Sequence, residues 1–143
     1  MSTWINPYLT FRNTAAEAMT FYQSVFGGDL QTMTFGQGGG SDDPAKVNLL
    51  MHSHLETADG WTFMASDAAE HDPRDVDARP VTLTIGGTED ELDKITGWFE
   101  ALAEGGKVSH PLEKQLWGDV FGQLRDRFGI NWMVNIAAGG TPE

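Results

Sequence analysis

The residues best equipped for chemistry are two histidines separated by one position, His52-Ser-His54. In an extended strand, residues i and i+2 project from the same face, so both imidazoles lie on one side. Such an edge can ligate zinc, nickel or iron if a carboxylate converges on it, and Asp67 is the candidate carboxylate. The plainer alternative is a pair of half-exposed strand histidines bonded to their neighbours. Alternation assigns Val47, Leu49, Met51 and Leu55 to an apolar side covered by helices. Asn48, Leu50, His52, His54 and Glu56 take the other side.

Aromatic rings are the second resource. Alternation over 117–125 places Trp117 and Phe121 on one face with Asp119, Gln123 and Arg125, and Tyr8 shares a side with Asn6. Rings carrying a few polar groups suit a small-molecule pocket, although they serve equally as plain core. His110, before Pro111, and His71 read as surface residues.

Other chemistries are excluded. The chain has no cysteine, which removes disulfides, zinc thiolates and thiol catalysis together. The Ser, His and Asp residues form no nucleophile elbow, and no helix carries an HExxH pair. Residues 36–44, Gly-Gln-Gly-Gly-Gly-Ser-Asp-Asp-Pro, make a flexible loop on composition. A phosphate cradle would need a following Lys-Ser/Thr, and two aspartates stand there instead. The net charge of −12, with nine scattered basic residues, opposes nucleic-acid binding. No apolar run approaches the roughly 20 residues of a membrane span. The start, Met1-Ser-Thr-Trp4, lacks signal-peptide features, so the expected location is cytoplasmic, without a membrane partner.

The elements that position these residues repeat. Residues 4–11 alternate as a strand, and Thr14-Ala-Ala-Glu17 has capping-box spacing. Ala18, Met19, Tyr22, Val25 and Phe26 recur at helical spacing until Gly27-Gly28 stops the helix. Strands are expected at 30–35, 47–55 and 61–66. Residues 68–79 are acidic and non-periodic and read as a linker. The pattern then restarts: a strand at 81–85, a capping box at Thr88-Glu-Asp-Glu91, and a helix through Leu92, Ile95, Phe99 and Leu102 ending at Gly105-Gly106. Strands near 107–110, 117–125 and 130–136 complete it. The two capping threonines stand 74 positions apart (88 − 14). The expected fold class is therefore α+β: tandem βαβββ modules forming a curved mixed sheet with a central cleft. One domain spans 1–143, with module one at about 3–67, the linker at 68–79 and module two at about 80–138.

Ordered motifs over nearly the whole chain carry a family resemblance: Asn6-Pro-Tyr-Leu-Thr-Phe11, Phe21-Tyr22, Phe26-Gly-Gly28, Met51-His52, Ser66-Asp67, Trp117-Gly118, Phe121-Gly122 and Asp126-Arg-Phe-Gly129 with Trp132. The chain resembles the PhnB-like branch of the vicinal-oxygen-chelate (glyoxalase/bleomycin resistance/dioxygenase) superfamily. The resemblance implies a divalent metal held by His, Gln or Glu from the first and last strand of each module. The matching positions are read as Asn6, Met64, Pro80 and Met133, an amide, a proline and two thioethers. That set does not suit a hard or borderline cation, so the expectation is no metal and no cofactor. Some family members are described as methyltransferases, but no nucleotide-binding glycine fingerprint follows a strand here.

The leading expectation is a small-molecule binding protein with Tyr8, His52, Asp67, Trp117, Phe121 and Gln123 as ligand-binding residues. No catalytic residue is assigned. One alternative is a divalent-metal-dependent isomerase, lyase or dioxygenase with its site relocated to His52 and His54. Another is a dimerisation or regulatory module without a small ligand. The resemblance also implies a homodimer.

Overall fold

The computed structural model describes residues 3–39, 42–68 and 82–138. Two compact units divide the chain, Met1–Ala78 and Arg79–Glu143. Each is a βαβββ module, as the repeat implies.

Unit 1 runs β1 (Tyr8–Phe11), α1 (Ala15–Phe26), β2 (Asp29–Thr34), β3 (Leu50–Glu56) and β4 (Thr62–Asp67). Its four strands lie in the order β1-β4-β3-β2, with β1 parallel to β4 and the other pairs antiparallel. Unit 2 runs β5 (Thr82–Thr88), a 3-10 turn (Glu89–Glu91), α2 (Leu92–Ala103), β6 (Lys107–Lys114), β7 (Val120–Arg125) and β8 (Asn131–Ala137). Its order, β5-β8-β7-β6, and its pairing senses are the same. The proposed linker, apart from Ala68, lies outside the described residues, as do His71 and Pro80.

In unit 1 the helix covers one face of the sheet, and the core forms between them. Ala15, Ala18, Met19, Tyr22 and Phe26 are the buried side of α1. Tyr22 meets Phe63 edge-on at 5.5 Å, and Phe26 meets Trp61 at 4.8 Å, orientations that the ring quadrupole favours. Unit 2 uses close approach instead. A Cβ on Gly87 would lie 2.4 Å from Ile95 Cδ1, and one on Gly122 would lie 2.9 Å from Phe99 Cε2. A larger residue would require the Ile95 side chain to shift at Gly87, and the Phe99 ring or the Leu112 backbone to shift at Gly122.

The Gly-Gly stops work alike in both units. A Cβ on Gly28 would sit 2.0 Å from the Glu56 carbonyl oxygen, and one on Gly106 would sit 2.3 Å from that of Arg125. In each unit the chain leaving the helix thus passes hard against the end of the third strand.

Four expectations need correction. Neither Thr14 nor Thr88 makes a side-chain cap hydrogen bond, so the capping boxes do not form. The Asp67 carboxylate, brought from the far end of β4, accepts the Ala15 N–H instead, at 3.0 Å. Strand β3 begins at Leu50, and Val47 and Leu49 belong to the preceding turn, where Phe35 and Gly36 donate to the carbonyls of Leu49 and Val47. Strand β7 begins at Val120, so Trp117 and Asp119 lie in the β6–β7 turn, where Gly118 takes a φ of +102°. Strand β6 continues through Pro111 to Lys114, which is tolerated because β6 is an edge strand and Pro111 lies at a register irregularity between His110 and Glu113.

Candidate functional site

Most of the residues singled out in the sequence lie on the face of each sheet turned away from its helix. In unit 1 the register places Tyr8 beside Met64, Met64 beside His54, and His54 beside Gln31, one row across all four strands. In unit 2 the corresponding row is Thr84, Met133, Gln123 and His110. The turns before the last strands match as well: Thr57 pairs with Trp61 as Asp126 pairs with Ile130. Met64 and Met133 are therefore equivalent positions, and so are His54 and Gln123. The residues adjoining the methionines on the first strands are Tyr8 and Thr84. Asn6, expected at that place, precedes β1, where its side chain donates to the Pro7 carbonyl at 3.4 Å.

A bulge rearranges β3. Met33 pairs with His52, but Thr34 pairs with Leu50, so Met51 is the extra residue. Leu50 then joins Ser53 and Leu55 among the buried residues, and its N–H donates to Asp67 Oδ2 at 2.9 Å. Strict alternation placed Met51 on the covered side and Leu50 beside His52. The bulge reverses both assignments.

The sequence-derived residues fall into three groups. Tyr8 and His52 come together: the phenol oxygen lies 3.1 Å from Nδ1, and the rings stand 5.9 Å apart. Trp117 and Phe121 also meet, at 6.4 Å, and His110, exposed as expected, packs edge-on against Phe121 at 5.8 Å. Gln123 pairs in register with both Met133 and His110. Asp67 stands apart. It is buried, and its two oxygens take the N–H groups of Ala15 and Leu50. Its alternating position puts it with Phe63 and Ala65 on the helix side, opposite Met64. It is a structural anchor, and it does not converge on His52 and His54. The alternative metal-ligand group of two histidines and this carboxylate is not assembled.

The buried aspartates of unit 2 have similar duties. Asp126 accepts the N–H of Phe128, the N–H of Ile130 and Nε1–H of Trp132, the last at 2.8 Å. Asp119 accepts from Ala138 N and Asn135 Nδ2. Among the described residues, no group of three or more His, Asp or Glu stands where it could hold a metal. No helix among them is long and apolar enough to cross a membrane.

Comparison with known proteins agrees with this architecture. The model of the glyoxalase/bleomycin resistance protein/dioxygenase superfamily matches residues 4–134. The PA1353 protein from Pseudomonas aeruginosa is 34% identical, with 96% of this chain and 99% of that one covered and a TM-score of 0.76. The PhnB protein from Bacillus cereus is 27% identical, over 94% of this chain and all of that one, with a TM-score of 0.64. Protein YjdN of Escherichia coli (strain K12) is 27% identical, over 92% of this chain and 94% of its own length. The βαβββ repeat, the paired rows and these relatives together place the chain in the PhnB-like branch of the glyoxalase/bleomycin resistance protein/dioxygenase superfamily.

Proposed function

We propose that this protein binds a small organic molecule on the helix-free faces of its sheets and has lost the superfamily's divalent-metal site. One observation carries the reading: the equivalent last-strand positions are Met64 and Met133, with Tyr8 and Thr84 beside them on the first strands. Two thioethers, a phenol and a hydroxyl do not displace the hydration shell of a hard or borderline cation. The same side chains, with His52, Phe121, Gln123 and Trp117, offer ring surfaces and isolated hydrogen-bonding groups, which is how small-molecule sites achieve orientation. Asp67 leaves the ligand-binding set because its carboxylate is spent on backbone amides. Homodimerisation is part of the proposal, supported by large apolar side chains left exposed on the isolated chain, among them Ile5 and Leu116.

Chelation provides the test. A metal bound only by the native state would raise the melting temperature, so EDTA should leave it unchanged. A drop with EDTA that His52→Ala with His54→Ala abolishes would establish a divalent site at these histidines and overturn the proposal.

A further inference from the structure

The glycine-rich turn after β2 has no part in the proposed function, yet it covers a group of soft donors. We propose that Met33, Met51 and His52 form a site for a soft monovalent metal ion, Cu(I) or its analogue Ag(I). This inference shares Tyr8 and His52 with the small-molecule reading but rests on Met33 and Met51, which that reading does not use, and it concerns a different class of ion.

Gly38 reveals the sulfurs. Met51 Sδ lies 3.0 Å and Met33 Sδ 3.1 Å from the point where a Gly38 side chain would begin. The two sulfurs are therefore no more than 6.1 Å apart, the sum of those distances. Two metal–sulfur bonds of about 2.3 Å span roughly 4.6 Å. Methionine has three rotatable bonds with which to close any remaining gap.

The imidazole follows from the register. His52 is the direct cross-strand partner of Met33 and the chain neighbour of Met51. The bulge at Met51 takes that thioether out of the strict alternation, and it lies with the Met33 sulfur at Gly38. Bulges commonly re-aim a side chain in this way. Tyr8 completes the arrangement, because its hydroxyl sits 3.1 Å from His52 Nδ1. A metal-bound histidine is ordinarily oriented through its second ring nitrogen by an oxygen. With Nδ1–H donated to that oxygen, Nε2 keeps its lone pair for the metal.

The donor set decides the ion. The set is neutral, and its two thioethers are soft beside one borderline imidazole, which favours Cu(I) over zinc, magnesium or calcium. Met33 is 43% exposed, so the ion has a route in from solvent.

Anaerobic titration of the full chain with Cu(I), against a chromophoric Cu(I) chelator, tests the site. One ion per chain is expected. Met33→Leu with Met51→Leu nearly conserves volume and should weaken binding at least tenfold while the circular dichroism spectrum is kept. Gly38→Ala removes no donor, but its Cβ would lie 1.9 Å from Met51 Cε, so it should weaken binding too. In the unmodified protein, Ag(I) should shift the methyl resonances of Met33 and Met51 and leave those of Met19 and Met133 in place. Stoichiometry well below one, unchanged affinity in the leucine variant, or Ag(I) shifts at the other methionines would overturn the assignment.

Discussion

The Tyr8 hydroxyl and His52 Nδ1 lie 3.1 Å apart although β4 separates their strands. A phenol long enough to cross one strand thus fixes the ring plane of a histidine on the next but one. Both residues are partly solvent-accessible, so the bond contributes only about 1 kcal/mol to stability. Its effect is on orientation. Tyr8→Phe should move the His52 ring nitrogen resonances while the unfolding free energy changes by about 1 kcal/mol or less. Unchanged His52 resonances in that variant would show that the contact does not orient the ring.

Asp67 presents the opposite case, a polar side chain with a large structural share and no place on the open face. Removing its carboxylate leaves two buried amides, of Ala15 and Leu50, without their acceptor. Each orphaned donor costs about 1–3 kcal/mol, so Asp67→Ala should lower the unfolding free energy by roughly 3 kcal/mol or more. Urea denaturation measures this. Hydrogen exchange should accelerate at Ala15 and Leu50 in particular, and a variant as stable as the parent would refute the anchoring role.

The sequence and the structure diverge where a local rule meets a distant partner. Both helices were legible because Ala18, Tyr22 and Phe26, and later Ile95, Phe99 and Leu102, repeat at helical spacing with glycine stops behind them. The capping boxes had the right spacing and still failed: at α1, Asp67, 52 positions after Ala15, occupies the first amide, and in unit 2 the Thr88 hydroxyl donates to the Asp90 carboxylate instead. Period-two counting also put Met51 on the wrong side, since a bulge is set by the pairing of β2 with β3 and leaves no mark in the alternation. Trp117 continued the apparent rhythm of β7, but Gly118 bends the chain there. For the site, alternation puts Trp117 and Phe121 on one face and they do meet, whereas the contact of Tyr8 with His52 across β4 is not foreseen, each being named separately as a lining residue. His110 reads as a surface residue and is exposed; its edge-on packing against Phe121 comes from the pairing of β6 with β7, which the residues around Pro111 do not announce.

Self-association should follow from the apolar side chains the isolated chain leaves exposed. Ile5 is 98% exposed and Trp117 is 64% exposed. A second copy covering such groups would recover about 25 cal/mol for each Å² of apolar surface buried. Light scattering should therefore give about twice the 15.7 kDa chain mass. Trp117→Ser should shift the equilibrium toward monomer if that ring lies in the interface. A chain that stays monomeric at about 100 µM, well above ordinary association constants, would refute dimerisation.

Three glycines separate a steric requirement from mere helix weakness. Gly28 has a φ of +101°, and a Cβ there would overlap the Glu56 carbonyl at 2.0 Å. Gly106 faces the same obstacle at Arg125, with 2.3 Å available. In both places the obstructing atom is backbone at the end of a central strand, so relief requires moving the helix exit or the strand. Alanine at either position should destabilise its unit by more than the ~1 kcal/mol typical of a point substitution. Gly97 sits within α2 and a Cβ there would meet nothing within 4 Å. Glycine in a helix interior is worse than alanine by roughly 0.5–1 kcal/mol, so Gly97→Ala should stabilise by about that amount. Thermal denaturation of the three variants should give losses for the first two and a gain for the third. Neutral behaviour at Gly28 and Gly106 would mean that the helix exits are not pinned by the third strands.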